Sequence, residues 1–116
     1  MSSTSNKRDT ERVSILGYLQ GEIMVFEPLH VTEISRGGVA VETSVPLALD
    51  SLHEVRLALG GRSIVVKGRV VHSRICGVDQ DVVTYSSGIE FIEPSDHVQA
   101  VISEFLDTLK AKRSGV

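Results

Sequence analysis

The sequence predicts an all-β fold, a small six-stranded antiparallel β-barrel with a C-terminal α-helix. Three observations point there. Valine, isoleucine and leucine recur at every second position in several short runs, the period of a strand with one face buried. Turn residues such as Gly60-Gly61 separate the runs, and only Pro28, Pro46 and Pro94 interrupt the chain. After Pro94 the apolar spacing lengthens to that of a helix, and a helix can cover the opening of a sheet that closes on itself to remove its edges.

The elements follow in order. Residues 1–12 form a polar arm, Ser/Thr-rich at first and charged from Lys7 to Arg12, a composition that stays mobile when free. Residues 13–94 form the barrel. Its first strand runs from Val13 to Gln20 with mixed faces, and Gln20-Gly21-Glu22 reads as a turn. Ile23–Phe26 and Leu29–Ser35 read as strand around Glu27-Pro28. Pro28 lacks an amide donor and marks an edge or a bulge. Gly37-Gly38 bends the chain, and Val39, Val41 and Thr43 alternate in the next strand. After a loop at residues 46–51, His53, Val55, Leu57 and Leu59 share one face. Gly60-Gly61 is a two-residue hairpin signal leading into Ser63–Arg74. There Ile64, Val66, Gly68 and Val70 lie on one parity, and Gly68 reads as a bend or a bulge. Residues 77–80 read as a loop and Val82–Ile92 as the last strand. Residues 95–112 form the helix: Ser95 or Asp96 can cap it, and Val98, Val101, Ile102, Phe105, Leu106 and Leu109 make one apolar stripe.

The 116 residues suit one domain. Formal net charge is -3, unlike the basic excess of duplex-binding proteins, so DNA is not an expected partner. Cys76 is the single cysteine, which excludes an internal disulfide and fits a reducing compartment. The N-terminus has no apolar signal-peptide core, and no apolar run reaches bilayer-spanning length. A cytoplasmic protein with no membrane contact is expected. His30, His53, His72 and His97 have no metal-ligand spacing. Neither a phosphate-cradling Gly-rich loop nor a nucleophile–base pair occurs, so no metal, cofactor or catalytic residue is expected and the chain does not read as an enzyme.

Two short motifs remain. Arg8-Asp9-Thr10-Glu11-Arg12 reads RxxxR in the arm, and Glu33-Ile34-Ser35-Arg36-Gly37-Gly38 reads ExSxxG at a strand end. A guanidinium matches the O6 and N7 acceptors of guanine, or a phosphate, with two parallel donors. An acidic side chain can accept from guanine N1–H and N2–H. A serine can bond a phosphate or brace a turn, and a glycine permits close approach and positive φ. Alone, RxxxR reads as a solvated charged arm and ExSxxG as an ordinary turn.

In this order, ahead of a small all-β pattern, the pair resembles the PilZ domain family, bacterial receptors for cyclic di-GMP. Gly68-Arg69-Val70-Val71-His72 is similar to the family's G-x-V strand, in which some members carry Trp at the position of His72. Gly88-Ile89-Glu90-Phe91 is similar to its closing G-[VI]-E-F strand. The resemblance spans roughly Arg8 to Phe91. It implies that Arg8, Arg12, Glu33 (at the family's Asp/Asn position), Ser35 and Gly38 bind cyclic di-GMP. Lys7, Arg36 and Arg74 are secondary candidates. It further implies a stand-alone receptor whose arm orders on ligand and signals to an effector protein, in pathways such as motility or exopolysaccharide synthesis. The chain is then expected as a monomer or homodimer. The competing expectation is a ligand-independent adaptor acting through protein–protein contact.

Overall fold

The computed structural model describes residues 11–15, 20–23 and 27–114; for residues 20–23, 27, 113 and 114 it describes the backbone. Seven β segments precede one helix: β1 Val13–Ser14, β2 Gln20–Ile23, β3 Glu27–Ser35, β4 Gly38–Thr43, β5 Leu52–Leu59, β6 Arg62–Asp79, β7 Val82–Phe91 and α1 Asp96–Ser114. All pairings are antiparallel. Six of the strands form a closed ring, β3–β2–β5–β6–β7–β4 and back to β3. β1, only two residues long, docks on the same edge of β3 as β2 does, farther along the strand. The six-stranded barrel with a C-terminal helix is therefore the fold. Closure removes the open edges that a flat sheet of this size would expose.

The period-two runs bury the faces the sequence assigns. Val55, Leu57 and Leu59 of β5, Ile64, Val66 and Val70 of β6, and Val39 and Val41 of β4 point into the barrel with Ile89 and Phe91. Burial of each such side chain contributes about 1.5–3 kcal/mol. Gly60 and Gly61 make the β5–β6 turn at φ 60° and 85°, positive values that glycine adopts at no steric cost. Ser95 caps α1: its hydroxyl accepts from the Val98 N–H at 3.2 Å. Val98, Val101, Ile102 and Leu106 are buried, Phe105 and Leu109 pack beside them, and α1 lies against β1, β3, β5 and β6. The helix thus closes one mouth of the barrel.

Several boundaries differ from those expected. Residues 20–22 are strand, not turn, because β2 is held by β3 on one side and β5 on the other. Pro28 lies inside β3 opposite Glu22, before the β4 ladder begins at His30. There β3 has one neighbour and a missing amide costs no ladder bond. β6 continues to Asp79, so the loop expected at residues 77–80 shrinks to a turn at Gln80 and Asp81. The reason is its pairing with β7, which persists to Asp79↔Val82. Gly68 marks no bulge. A Cβ there would come within 2.4 Å of the Ile89 side chain, so Gly68 makes room inside the barrel; the register slips instead between Val70 and His72. Leu16–Leu19 and Met24–Phe26 lie outside the described residues.

Candidate functional site

The β3–β4 hairpin is built by its own sequence. Ser35 pairs with Gly38, leaving Arg36-Gly37 as a two-residue turn. The Ser35 side chain, 4% exposed, accepts from the Gly37 N–H at 3.2 Å and donates to the Gly38 carbonyl at 3.4 Å. Of the two roles open to this serine, bracing the turn is the one its contacts fill. The Phe91 N–H donates to the Gly37 carbonyl at 2.8 Å, which ties the turn to the end of β7.

Gly38 is required for a reason the sequence did not reveal. Its φ is not positive; among the described glycines only Gly60 and Gly61 are. A Cβ at Gly38 would lie 2.1 Å from the Ile89 carbonyl oxygen. The glycine lets β4 approach β7 closely.

The register slips by one residue at Thr32. Val31 and Ile34 are fully buried, while Thr32 and Glu33 between them are part-exposed on the outer surface. Thr32 donates from its hydroxyl to the Ala40 carbonyl at 3.1 Å. Glu33 pairs with Ala40 on one side and with Ser14 on the other. Continuing outward, Ala40 pairs with Gly88 and Gly88 with His72. Glu33, Ala40, Gly88 and His72 thus form one row across four strands, roughly 14 Å long at the usual strand spacing. The centre of the row carries only small side chains. His72 leans over it: a Cβ on Gly88 would lie 2.3 Å from its Nε2.

β1 brings in the arm. Val13 pairs with Ile34 and Ser14 with Glu33, so the residue before Val13, the exposed Arg12, stands beside the Ser35 end of the turn. Glu11 forms an ion pair with Lys110 of α1 at 2.6 Å, beside the start of β1. Arg8 and Lys7 lie outside the described residues. Arg36 lines a cleft of about 140 Å³ with Gly37, Pro94, Gln99 and Ser103, between the turn and α1. Arg74 is set apart. It pairs with Ser86, in the row of Glu42 and His30 rather than that of Glu33.

Sequence reasoning missed the outer ion pair of Arg69 and Glu90, 2.7 Å apart in the adjacent row that runs from Ser35 through Gly38. The hydrogen bond and charge of Glu90 raise the Arg69 pKa further above its ordinary value. Their signal was present: each stands at an outward parity on neighbouring strands. No group of His, Cys, Asp and Glu suited to a metal occurs among the described residues.

With this geometry in place the comparisons are decisive on family. The PilZ domain model matches residues 6–108. The chain belongs to the PilZ family. Its barrel superposes on the PilZ domain with c-di-GMP of YcgR from Escherichia coli with a TM-score of 0.74 at 11% identity, covering 89% of this chain and 91% of that one. It is also similar to the K. pneumonia MrkH–c-di-GMP complex (TM-score 0.68, 22% identity, 95% of this chain and 56% of that chain). A third is the Bacillus subtilis inhibitor of motility MotI/DgrA (TM-score 0.67, 19% identity, 88% and 51%). The chain spans about half the length of the MrkH and MotI structures it matches. No curated protein matches it. At these identities the likeness to solved structures is one of fold, and the described part of this PilZ domain has no helix long and apolar enough to cross a membrane.

Proposed function

We propose that this PilZ domain is a receptor for cyclic di-GMP, held between the Arg8–Arg12 arm and the Glu33–Gly38 turn. The observation that carries the reading is the β1–β3 register, which sets Arg12 beside the braced turn while Glu33 faces outward at the head of a row of small residues. Two of the similar structures, the YcgR domain and MrkH, are complexes with c-di-GMP.

The division of labour follows from the chemistry. Arg8 and Arg12 supply bidentate donors to a phosphate or to guanine O6 and N7. Glu33 accepts from the guanine N1–H and N2–H donors. Ser35 acts by holding the turn, and Gly38 by keeping β4 close to β7. Lys7 and Arg36 add phosphate contacts at the rim; Arg74, a row away, contributes least. Ordering the arm costs conformational entropy, which the charge-assisted contacts offset. The surface so formed is then read by an effector protein, and the domain itself performs no turnover. The expected setting is the cytoplasm.

Glu33 also favours a second reading. Its carboxylate is one methylene longer than the family's Asp or Asn, and a misplaced acceptor leaves guanine donors unpaired at a cost of about 1–3 kcal/mol. An adaptor that no longer binds ligand would tolerate this.

Calorimetric titration of cyclic di-GMP separates the two, with an Arg8→Ala/Arg12→Ala variant alongside. Saturable binding that is lost in the variant is expected. No heat from folded wild-type protein would leave the adaptor.

A further inference from the structure

We infer that the outer half of the β6–β7 hairpin is a self-association surface, on which a second copy of this chain adds its own β6 edge to edge. The ribbon leaves the barrel. β5 accompanies β6 only as far as Arg69, and the Ser51 segment bonds it at Val70. From His72 to Asp79, β6 has β7 on one side and, among the described residues, no strand on the other. β4 leaves β7 beyond Tyr85. A two-stranded ribbon is marginal alone in water, yet this one, two-stranded among the described residues, carries Ile75, Val78 and Val82 at 59%, 68% and 60% exposure. Residues 71–79 contain no Pro or Lys, the residues that commonly blunt such an edge.

The choice of a second copy rests on self-complementarity. The register slips at Cys76, between Ile75↔Tyr85 and Gly77↔Thr84. Val78 then pairs with Val83, two residues from Tyr85, so Ile75 and Val78 share one face. Arg74 and Asp79 pair with Ser86 and Val82, four residues apart, and share the other. An antiparallel pairing of two β6 edges, with its dyad between Cys76 and Gly77, therefore matches face to face. It opposes Ile75 to Val78 of the second copy and Arg74 to Asp79, each contact occurring twice by symmetry. Cross-strand apolar pairs stabilise such an edge, and opposite charges directly across it fix the register. The result is a continuous four-stranded sheet, β7–β6–β6–β7. The contact is small, of the size of transient interfaces.

Sedimentation velocity across a concentration series tests it. The mass should rise from 12.6 kDa toward twice that value. Arg74→Asp should weaken the dimer at least about tenfold by facing two carboxylates. Arg74→Asp/Asp79→Arg should restore it, because both charges are exchanged in both copies. In the wild type, a short bismaleimide should link the two Cys76 thiols across the dyad. A monomer at every concentration, a dimer indifferent to Arg74→Asp, or failure of the double exchange to recover it would overturn the proposal.

Discussion

Val13 stands opposite Ile34 across the β1–β3 ladder, and both side chains are fully buried. This one apolar pair anchors the arm. It fixes Ser14 beside Glu33 and presents Arg12, exposed, at the open side of the β3–β4 turn.

Truncating the anchor should therefore be costly. Ile34→Ala is expected to lower the unfolding free energy by about 2–5 kcal/mol, the range for deleting a buried aliphatic side chain. Urea denaturation monitored by circular dichroism measures it. A change below about 1 kcal/mol would contradict the full burial of Ile34, since collapse of the site removes the cavity cost but leaves the transfer cost of the deleted groups.

Gly38→Ala should destabilise the fold by about 1–3 kcal/mol, because the added methyl meets the Ile89 carbonyl oxygen and backbone must shift to admit it. The same denaturation series reports it. Equal stability of the alanine variant would contradict the close β4–β7 approach.

Ser35→Ala removes both hydrogen bonds of the turn brace. A loss of about 1 kcal/mol is expected, with one buried side-chain hydroxyl at stake. A fall in cyclic di-GMP affinity at unchanged stability would instead assign the hydroxyl to the ligand.

Glu33→Asp shortens the acceptor by about 1.5 Å and removes one rotatable bond that binding must freeze. Affinity for cyclic di-GMP should tighten about tenfold, or ~1.4 kcal/mol, in the calorimetric titration. Unchanged or weaker binding would show that the carboxylate does not meet the guanine edge. The thermal midpoint should barely move, since Glu33 is part-exposed on the outer surface.

The sequence by itself determined the fold class, the inward faces of β4, β5 and β6, the Gly60-Gly61 turn, the Ser95 cap and the helical stripe. Each is a local or periodic property, and periodicity is written directly in residue order. It also determined the two motifs and their order along the chain. Tertiary structure alone decided the rest. β2 became a strand because it found partners on both sides, which no local propensity at Gln20-Gly21-Glu22 announces. Gly38 and Gly68 are glycines because of what a neighbouring strand places against them, the Ile89 carbonyl and the Ile89 side chain. The row from Glu33 to His72 unites residues from four strands. Arg74 fell outside it because it stands two residues beyond His72 on β6, and the slip at Val71 sets His72 rather than Val71 abreast of Gly88; a slip of one residue changes which side chains stand abreast. Two-residue turns set the register next to each hairpin, but beyond a slip and between segments distant in sequence it is fixed only when the barrel closes.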